Sequence, residues 1–539
     1  MSSETSSRNP LLIAELFYAV LHYLVDTTWD TTPEPSPNGV DIPYSVGTNG
    51  IPIRAYDPDT RRTLAALART CRAFTCPALD LLWRRLHSLE PLLWCFTSRE
   101  AIFSTRQPLR PPSPADWVVI RHYACRIQYL EVHDVLALSS FFLGCVPFDT
   151  NLFPNLKVLK WNTRSHIIPI DIKFMYPLLG PNLVVLDITT HKDDTTLPSL
   201  LKALPSRCPA VTTARFGLMR RENLALMDIF TRAICSFKNL KSLIIDAFVD
   251  NRVLQDVTRS TQLQELCLGL QLYQPENQPP SEISLCNLRR LVLLVPELDQ
   301  LNELLRPGHQ SFCGIMLRLL RVEFATLIGS LFVGLAMYSR KSTLNVLHLR
   351  STRPHFDLLN IEQLPFILSF DTFRPLTCHT NLRELIIKLA NPISLNDAEL
   401  VDLVRNWPLL QVLELCYFFP LPIRARRTTF NGLLSLVPVC PELRHVGLTL
   451  DGTEIPDGAP VGLVSKTITA LRFYNTPIYK RTRQVAKFLL THFPSVTSVT
   501  GPPGAIQMDS HGRAWAQVEA YMVGPSEEEL GVDNSGDAS

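Results

Sequence analysis

Thirteen cysteines and thirteen histidines are the side chains best suited to chemistry in this chain. A cysteine attacks or binds metal as a thiolate, and a histidine works as a base or a ligand. Both roles require partners at suitable distances. The cysteines are scattered from Cys71 to Cys440 without a C-x-x-C, and several sit in apolar runs, as Cys267 does in LQELCLGL. The histidines are dispersed, with no pair at metal-ligand spacing beside a cysteine or carboxylate. His122 and His348 read as surface or strand residues. Phosphate-cradling G-x-x-x-x-G-K-[ST], dinucleotide G-x-G-x-x-G, nucleophile-elbow G-x-S-x-G and zinc-binding H-E-x-x-H motifs are absent. The chain is therefore expected to be no enzyme and to use no cofactor or metal. An odd, unclustered cysteine set reads as buried free thiols in a reducing compartment, cytoplasmic or nuclear. The polar start MSSETSSRNP carries no signal-peptide core.

Charge narrows the partners. Lys and Arg number 52 against 50 Asp and Glu, a net +2 over 539 residues. Such balance offers no broad attraction for nucleic acid or an anionic membrane surface. The longest apolar run, ATLIGSLFVGLAM from Ala325 to Met337, is shorter than the ~18–20 residues that cross a bilayer. It is expected to be a buried core helix.

The elements that position these residues are set by a repeat. Apolar residues recur at i, i+3 and i+5, often introduced by Pro or Asn, as in FPNLKVLKW (Leu156, Leu159, Trp161) and GPNLVVLDI (Leu183, Leu186, Ile188). Further copies begin at Leu240, Leu263, Leu288, Leu344, Leu382, Leu410 and Leu443, with weaker ones at Ile127, Val211, Leu319, Ile468 and Val496. These fourteen copies lie on average about 28 residues apart. Residues i+3 and i+5 alternate with period two and so face one side of a short strand. One such strand cannot bury its apolar face alone, whereas stacked neighbours share a core and a parallel sheet. The spacers carry helical stripes: Leu197, Leu200, Leu201 and Leu204; Leu400, Leu403 and Val404; Leu433, Leu434 and Val437; and RQVAKFLLTHFP. The expected fold is α/β, a right-handed solenoid of parallel strands with outer helices over residues 127–505. The L-x-x-L-x-L pattern resembles the leucine-rich-repeat family. The Asn or Cys usual in that family is mostly missing here, with Arg164, His191 and Phe248 at i+8.

The other strand face is left for a partner. Residues at i+2 and i+4 point outward, and those able to read a target are Lys160, Asp187, Arg215, Glu265, Arg290, Arg321, Glu323, His348, Glu384, Glu414 and Arg472. Their mixed signs suit a protein target.

Residues 1–96 read as a separate helical module interrupted by a Pro/Gly-rich loop at about 26–58, and 97–126 as a connector. A first stripe holds Ile13, Leu16, Phe17 and Val20, with Pro10 suited to the first turn. A second holds Leu64, Leu67, Ala68, Cys71 and Phe74, and a third holds Leu79, Leu82, Trp83 and Leu86. The blocks N-P-x-x-I-x-x-L-F, L-x-x-L-A-R-T-C-R-A-F and P-A-L-D-L-L-W-R-R-L resemble an F-box, in particular that of fungal F-box proteins with degenerate leucine-rich repeats. The resemblance implies that Pro10, Leu11, Ile13, Leu16, Phe17, Leu67, Cys71, Phe74 and Trp83 bind a Skp-type adaptor and through it a cullin scaffold. It further implies a substrate-recognition subunit of an SCF-type cullin–RING ubiquitin ligase, whose protein target the sequence leaves unknown. The residues alone leave open a ligase-independent repeat scaffold. Trp515 and Tyr521 are expected to cap the last repeat within 506–539, and the acidic tail from Gly524 reads as disordered.

Overall fold

The computed structural model describes residues 58–96, 111–133, 137–147, 150–163, 172–190, 196–218, 224–249, 251–259, 263–270, 288–296, 298, 301, 312–320, 323–338, 343–351, 366–417, 427–456, 463–474, 476–478, 481–501 and 510–523. The first F-box block, with Pro10, Leu11, Ile13, Leu16 and Phe17, lies outside them, as do Arg321 and the acidic tail. The chain divides into two compact units. The first runs to Phe248 and includes Arg259–Cys267, and the second comprises Val249–Thr258 and the chain from Leu268.

In the first unit, strands β1 (Arg85–Leu86), β2 (Tyr129–His133), β3 (Val158–Thr163), β4 (Val185–Thr190), β5 (Thr213–Leu218) and β6 (Ser242–Val249) lie side by side in chain order. Each is parallel to the next. Parallel neighbours need a crossover, and the spacers supply it, among them the helices Leu197–Arg207 and Leu224–Cys235. The expected inward residues form two buried rows. One is Leu130, Leu159, Leu186, Ala214 and Leu243, and the other is Val132, Trp161, Ile188, Phe216 and Ile245. Fully burying one such side chain stabilises by about 1.5–3 kcal/mol. The Asn that introduces several copies has a specific task. Asn155 Nδ2 donates to Cys125 O at 2.7 Å, Asn182 to Pro154 O at 2.8 Å and Asn239 to Pro209 O at 3.0 Å. Each bond ties a turn to the equivalent turn of the repeat before it.

Strand β7 (Glu265–Leu270) crosses the division in the sequence, with Glu265–Cys267 in the first unit. The second unit repeats the plan with β8 (Arg290–Val295), β9 (Gly314–Leu319), β10 (Val346–Ser351), β12 (Glu384–Leu389), β14 (Val412–Tyr417), β15 (His445–Leu448), β16 (Ala470–Phe473) and β17 (Ser498–Thr500), again parallel and in order. A two-stranded accessory pair, β11 (Leu368–Ser369) and β13 (Ile393–Ser394), sits in the connections. The helix Asp397–Val404 buries Leu400, Leu403 and Val404 as expected, and Asn396 closes a capping box with Glu399. At the end of the chain Trp515 is buried, its ring 4.4 Å from that of Phe473 and its Nε1 donating to Thr476 O at 2.9 Å.

Four expectations need correction. The weak copy placed at Leu319 starts seven residues too late, at the end of the strand itself. The strand is Gly314–Leu319, and its i, i+3 and i+5 residues are Phe312, Ile315 and Leu317. The second and third helical stripes are redrawn as Pro58–Leu67 and Arg72–Trp83, with Cys71 extended (φ −154°, ψ 160°) between them. Leu86 leaves the helix and pairs as a strand with Leu130. The apolar run 325–337 is a helix, Ala325–Tyr338, but Val333 and Met337 on it are exposed, so it is not fully buried. No described helix is long and apolar enough to cross a membrane.

Candidate functional site

Strand pleating places three rows of side chains on the face opposite the core. In each copy they are i+2, i+4 and, because most strands run to six residues, i+6. Lys160, Asp187, Arg215, His348, Glu414 and Arg472 fall on the middle row. Glu384 and Arg290 fall on the first row and Glu265 opens β7. Glu323 does not belong to this face. With the Leu319 copy re-registered, it precedes the helix Ala325–Tyr338, is 9% exposed, and accepts from Leu298 N at 3.3 Å and Asn391 through its carbonyl at 2.7 Å.

The first unit neutralises itself. Glu131, Lys160, Asp187 and Arg215 occupy one register row on four neighbouring strands, with alternating sign. Opposite charges directly across a strand pair stabilise, and like charges do not. His87 Nδ1 and the Tyr129 hydroxyl lie 2.8 Å and 3.0 Å from Glu131 Oε2. Lys160 Nζ is 3.9 Å from Glu131 Oε1 and sits 5.7 Å from the centroid of the Tyr129 ring. Arg215 Nε donates to Asp246 Oδ2 at 2.9 Å. Burial raises the Asp187 carboxyl above its usual range, against the pull of Arg215 and Lys160. Burial and the Glu131 charge together raise the Tyr129 phenol. Sequence reading missed Glu131, Tyr129, His87 and Asp246.

The second unit is organised around Glu414, whose side chain is 1% exposed. Lys388 Nζ contacts Oε2, while His445 Nε2 and Arg472 Nη1 lie 3.0 Å and 3.1 Å from Oε1. Burial alone would raise this carboxyl, yet His445 and Lys388 bring it down to about 2. Glycine makes the geometry possible. Gly447 stands between Glu414 and Arg472 in the register, and a Cβ there would lie 2.8 Å from Glu414 Cγ. The missing side chain lets one carboxylate reach a guanidinium two strands away. His348 Nε2 lies 3.0 Å from Glu384 Oε2. Burial lowers the His348 pKa, and the hydrogen bond from His348 lowers that of Glu384. The pair is therefore a neutral imidazole donating to a carboxylate near pH 7.

The described part of the helical module is partly committed to its own packing. Leu67 and Phe74 pack on Leu64 and Leu81. Trp83 stacks on Tyr123 at 4.4 Å. Cys71 is exposed.

Three buried thiols are held protonated: burial pushes Cys208 and Cys440 up to about 12 and raises Cys416 well above its ordinary value. Not all cysteines are buried as expected, since Cys71, Cys76 and Cys235 are exposed. Among the described residues no group of three or more His, Cys, Asp or Glu could hold a metal ion.

Comparison with known proteins returned no matching family model and no matching curated protein. The solved structures that are similar in part include a protein complex and a leucine-rich-repeat protein. The yeast Rad7–Elc1 complex matches at 14% identity over 62% of this chain and 81% of that chain, with a TM-score of 0.38. The leucine-rich repeat-containing protein LegL7 from Legionella pneumophila matches at 10% identity over 67% and 97%, with a TM-score of 0.26. The leucine-rich-repeat character of the fold rests on the ordered parallel strands and their buried rows, in which this chain has an α/β solenoid architecture.

Proposed function

We propose that the chain is a substrate-recognition subunit of an SCF-type cullin–RING ubiquitin ligase acting in cytoplasm or nucleus. Residues 1–96, with the insertion at 26–58, form the F-box module. It binds a Skp-type adaptor and through it the cullin scaffold. Residues 97–126 connect it to repeats 127–505, which hold the protein target, and 506–539 close the end. No bond is made by this chain. Its work is tethering, which raises the effective concentration of target near the ubiquitin carrier. The observation that supports target holding is the organised polar strand face, whose charges are fixed in rows while the Cys416 thiol on it stays protonated. The adaptor assignment rests on the three F-box sequence blocks.

Co-purification with a Skp-type adaptor tests the reading. The full chain should retain adaptor, and a Leu16→Ala/Phe17→Ala variant should lose it with its circular dichroism unchanged. Trp83 is a poor probe, because truncating it removes the stack on Tyr123. A full chain that never retains adaptor refutes the ligase reading. It would favour the second one, a ligase-independent repeat scaffold in which the helices serve as a cap. The packing of Leu67 and Phe74 onto their own module favours that alternative.

A further inference from the structure

The outward face of the first unit is one cation short around Asp187. Glu131, Lys160, Asp187 and Arg215 are neutral in sum along their row. Asp246, two residues beyond that row on β6, adds a third carboxylate to the two cations. The bonds settle at the two ends. Arg215 turns to Asp246, donating through Nε at 2.9 Å and through Nη2 as well. Lys160 leans the other way, with its Nζ 3.9 Å from Glu131 Oε1 and over the Tyr129 ring. Glu131 Oε2 is met by His87 and by the Tyr129 hydroxyl. Asp187 is thus balanced by the charges beside it, yet neither cation closes an ion pair with it. Arg85 on β1 stands three strands away, roughly 14 Å. Asp187 is half-buried, so a partner can reach it. Asn162 stands diagonally across from it on β3, about 8 Å away at the backbone. Its Oδ1 is enclosed and finds no donor among the described residues, which costs free energy until a donor arrives. On the preceding row Tyr129, Val158 and Val185 form a buried apolar cluster that keeps water from that side.

We infer that Asp187 and Asn162 hold an arginine side chain of the target protein, the carboxylate pairing with its charge and Asn162 Oδ1 accepting one of its N–H groups. This names a chemical feature of the target and rests on the target-holding part of the proposed function. A guanidinium supplies what each group lacks, a charge for one and a donor for the other, and its planar fork serves two acceptors at once. A lysine, a compact point charge, would meet them less well. The apolar cluster lowers screening and so strengthens the pair. An acidic side chain would put a fourth carboxylate among three, and a neutral amide would leave the Asp187 charge unpaired. Burial raises the Asp187 carboxyl, Arg215 and Lys160 lower it, and Asp246 and Glu131 raise it. Its proton has to leave before a cation can pair, so binding weakens as pH falls through that raised value.

The test is ligand-observed NMR of the full chain with N-acetylarginine amide, whose only charge is its guanidinium. N-acetylcitrulline amide, its neutral isostere, is the comparison. The arginine probe should bind saturably, and the citrulline probe should not bind. Asp187→Asn, with the circular dichroism of the native chain, should weaken binding of the arginine probe roughly tenfold. Asn162→Leu should weaken it less, and Asp371→Asn, exposed in the second unit, should leave it unchanged. Lowering the pH should weaken binding by the native chain from above the ordinary carboxylate value of 3.8, and should not do so for what binding Asp187→Asn retains. Equal binding of both probes by the native chain overturns the inference, and that result requires no variant to fold. Binding that Asp187→Asn leaves undiminished overturns it as well, by assigning the probe to another carboxylate. Adaptor retention is measured on the same preparation. Retained adaptor with no arginine binding sinks this inference alone, and arginine binding with no adaptor sinks the ligase reading alone.

Discussion

Replacing Glu414 by Gln removes a buried negative charge and keeps the shape. In the native chain its pKa falls from 4.5 to about 2, a difference worth roughly 3 kcal/mol at 1.36 kcal/mol per pH unit. Its folded value is the depressed one, so the contribution is fully present above pH 4.5 and disappears as pH falls through about 2. The Gln variant should therefore be less stable at neutral pH by about 2–3 kcal/mol, part of the loss being recovered as Arg472, 42% exposed, returns to water. Repeat units open locally and not in one transition. The assay is hydrogen exchange of the amides in Val412–Tyr417 and His445–Leu448, compared between the two proteins across pH. Protection should drop about a hundredfold at pH 7, and the difference should shrink by more than half by about pH 3. A difference that stays constant over that range, or is absent at pH 7, refutes the account of Glu414 as a carboxylate held ionised by its basic neighbours.

Two further outcomes follow from the same packing. Gly447→Ala puts a methyl 2.8 Å from Glu414 Cγ and should destabilise by about 1–3 kcal/mol, with exchange rising in β14–β16 and little change in the first unit. Trp515→Ala empties the space between Phe473 and Gly501, where a Gly501 Cβ would lie 2.6 Å from Trp515 Cβ. The expected loss is about 3–5 kcal/mol, seen as faster exchange at β16 and β17 and a lower denaturant midpoint.

The core was legible because its signal is local. Residues i, i+3 and i+5 are neighbours in sequence, and their apolar character follows from burial alone. The misplaced copy at Leu319 shows where this fails. The run Gly314-Ile-Met-Leu-Arg-Leu-Leu-Arg offers two overlapping frames, and the correct one begins with Phe312, which the Leu pattern does not flag. The site was legible only in outline. Its middle row followed from alternation, but the third outward row, with Asp246, Arg318, Arg350 and Lys388, needed the strand length as well. The pairs themselves were out of reach. Arg215 finds Asp246 31 residues away and Arg472 finds Glu414 58 residues away. Gly447 carries no charge at all, yet it leaves the space across which Arg472 reaches Glu414.

A buried ion cluster is seldom the most stable way to fill space, since apolar residues of equal volume often do as well or better. Glu414 and its three basic neighbours therefore call for a reason other than stability. Their place on the strand face opposite the core, where we propose that the target is held, supplies one. Side chains locked to one another lose little freedom when a partner arrives, so more of the contact energy appears as affinity. The same reasoning separates the two units. In the first, alternate charges satisfy one another along the row, leaving a fixed but balanced pattern suited to register. In the second, one buried carboxylate, Glu414, gathers Lys388, His445 and Arg472 from three different strands.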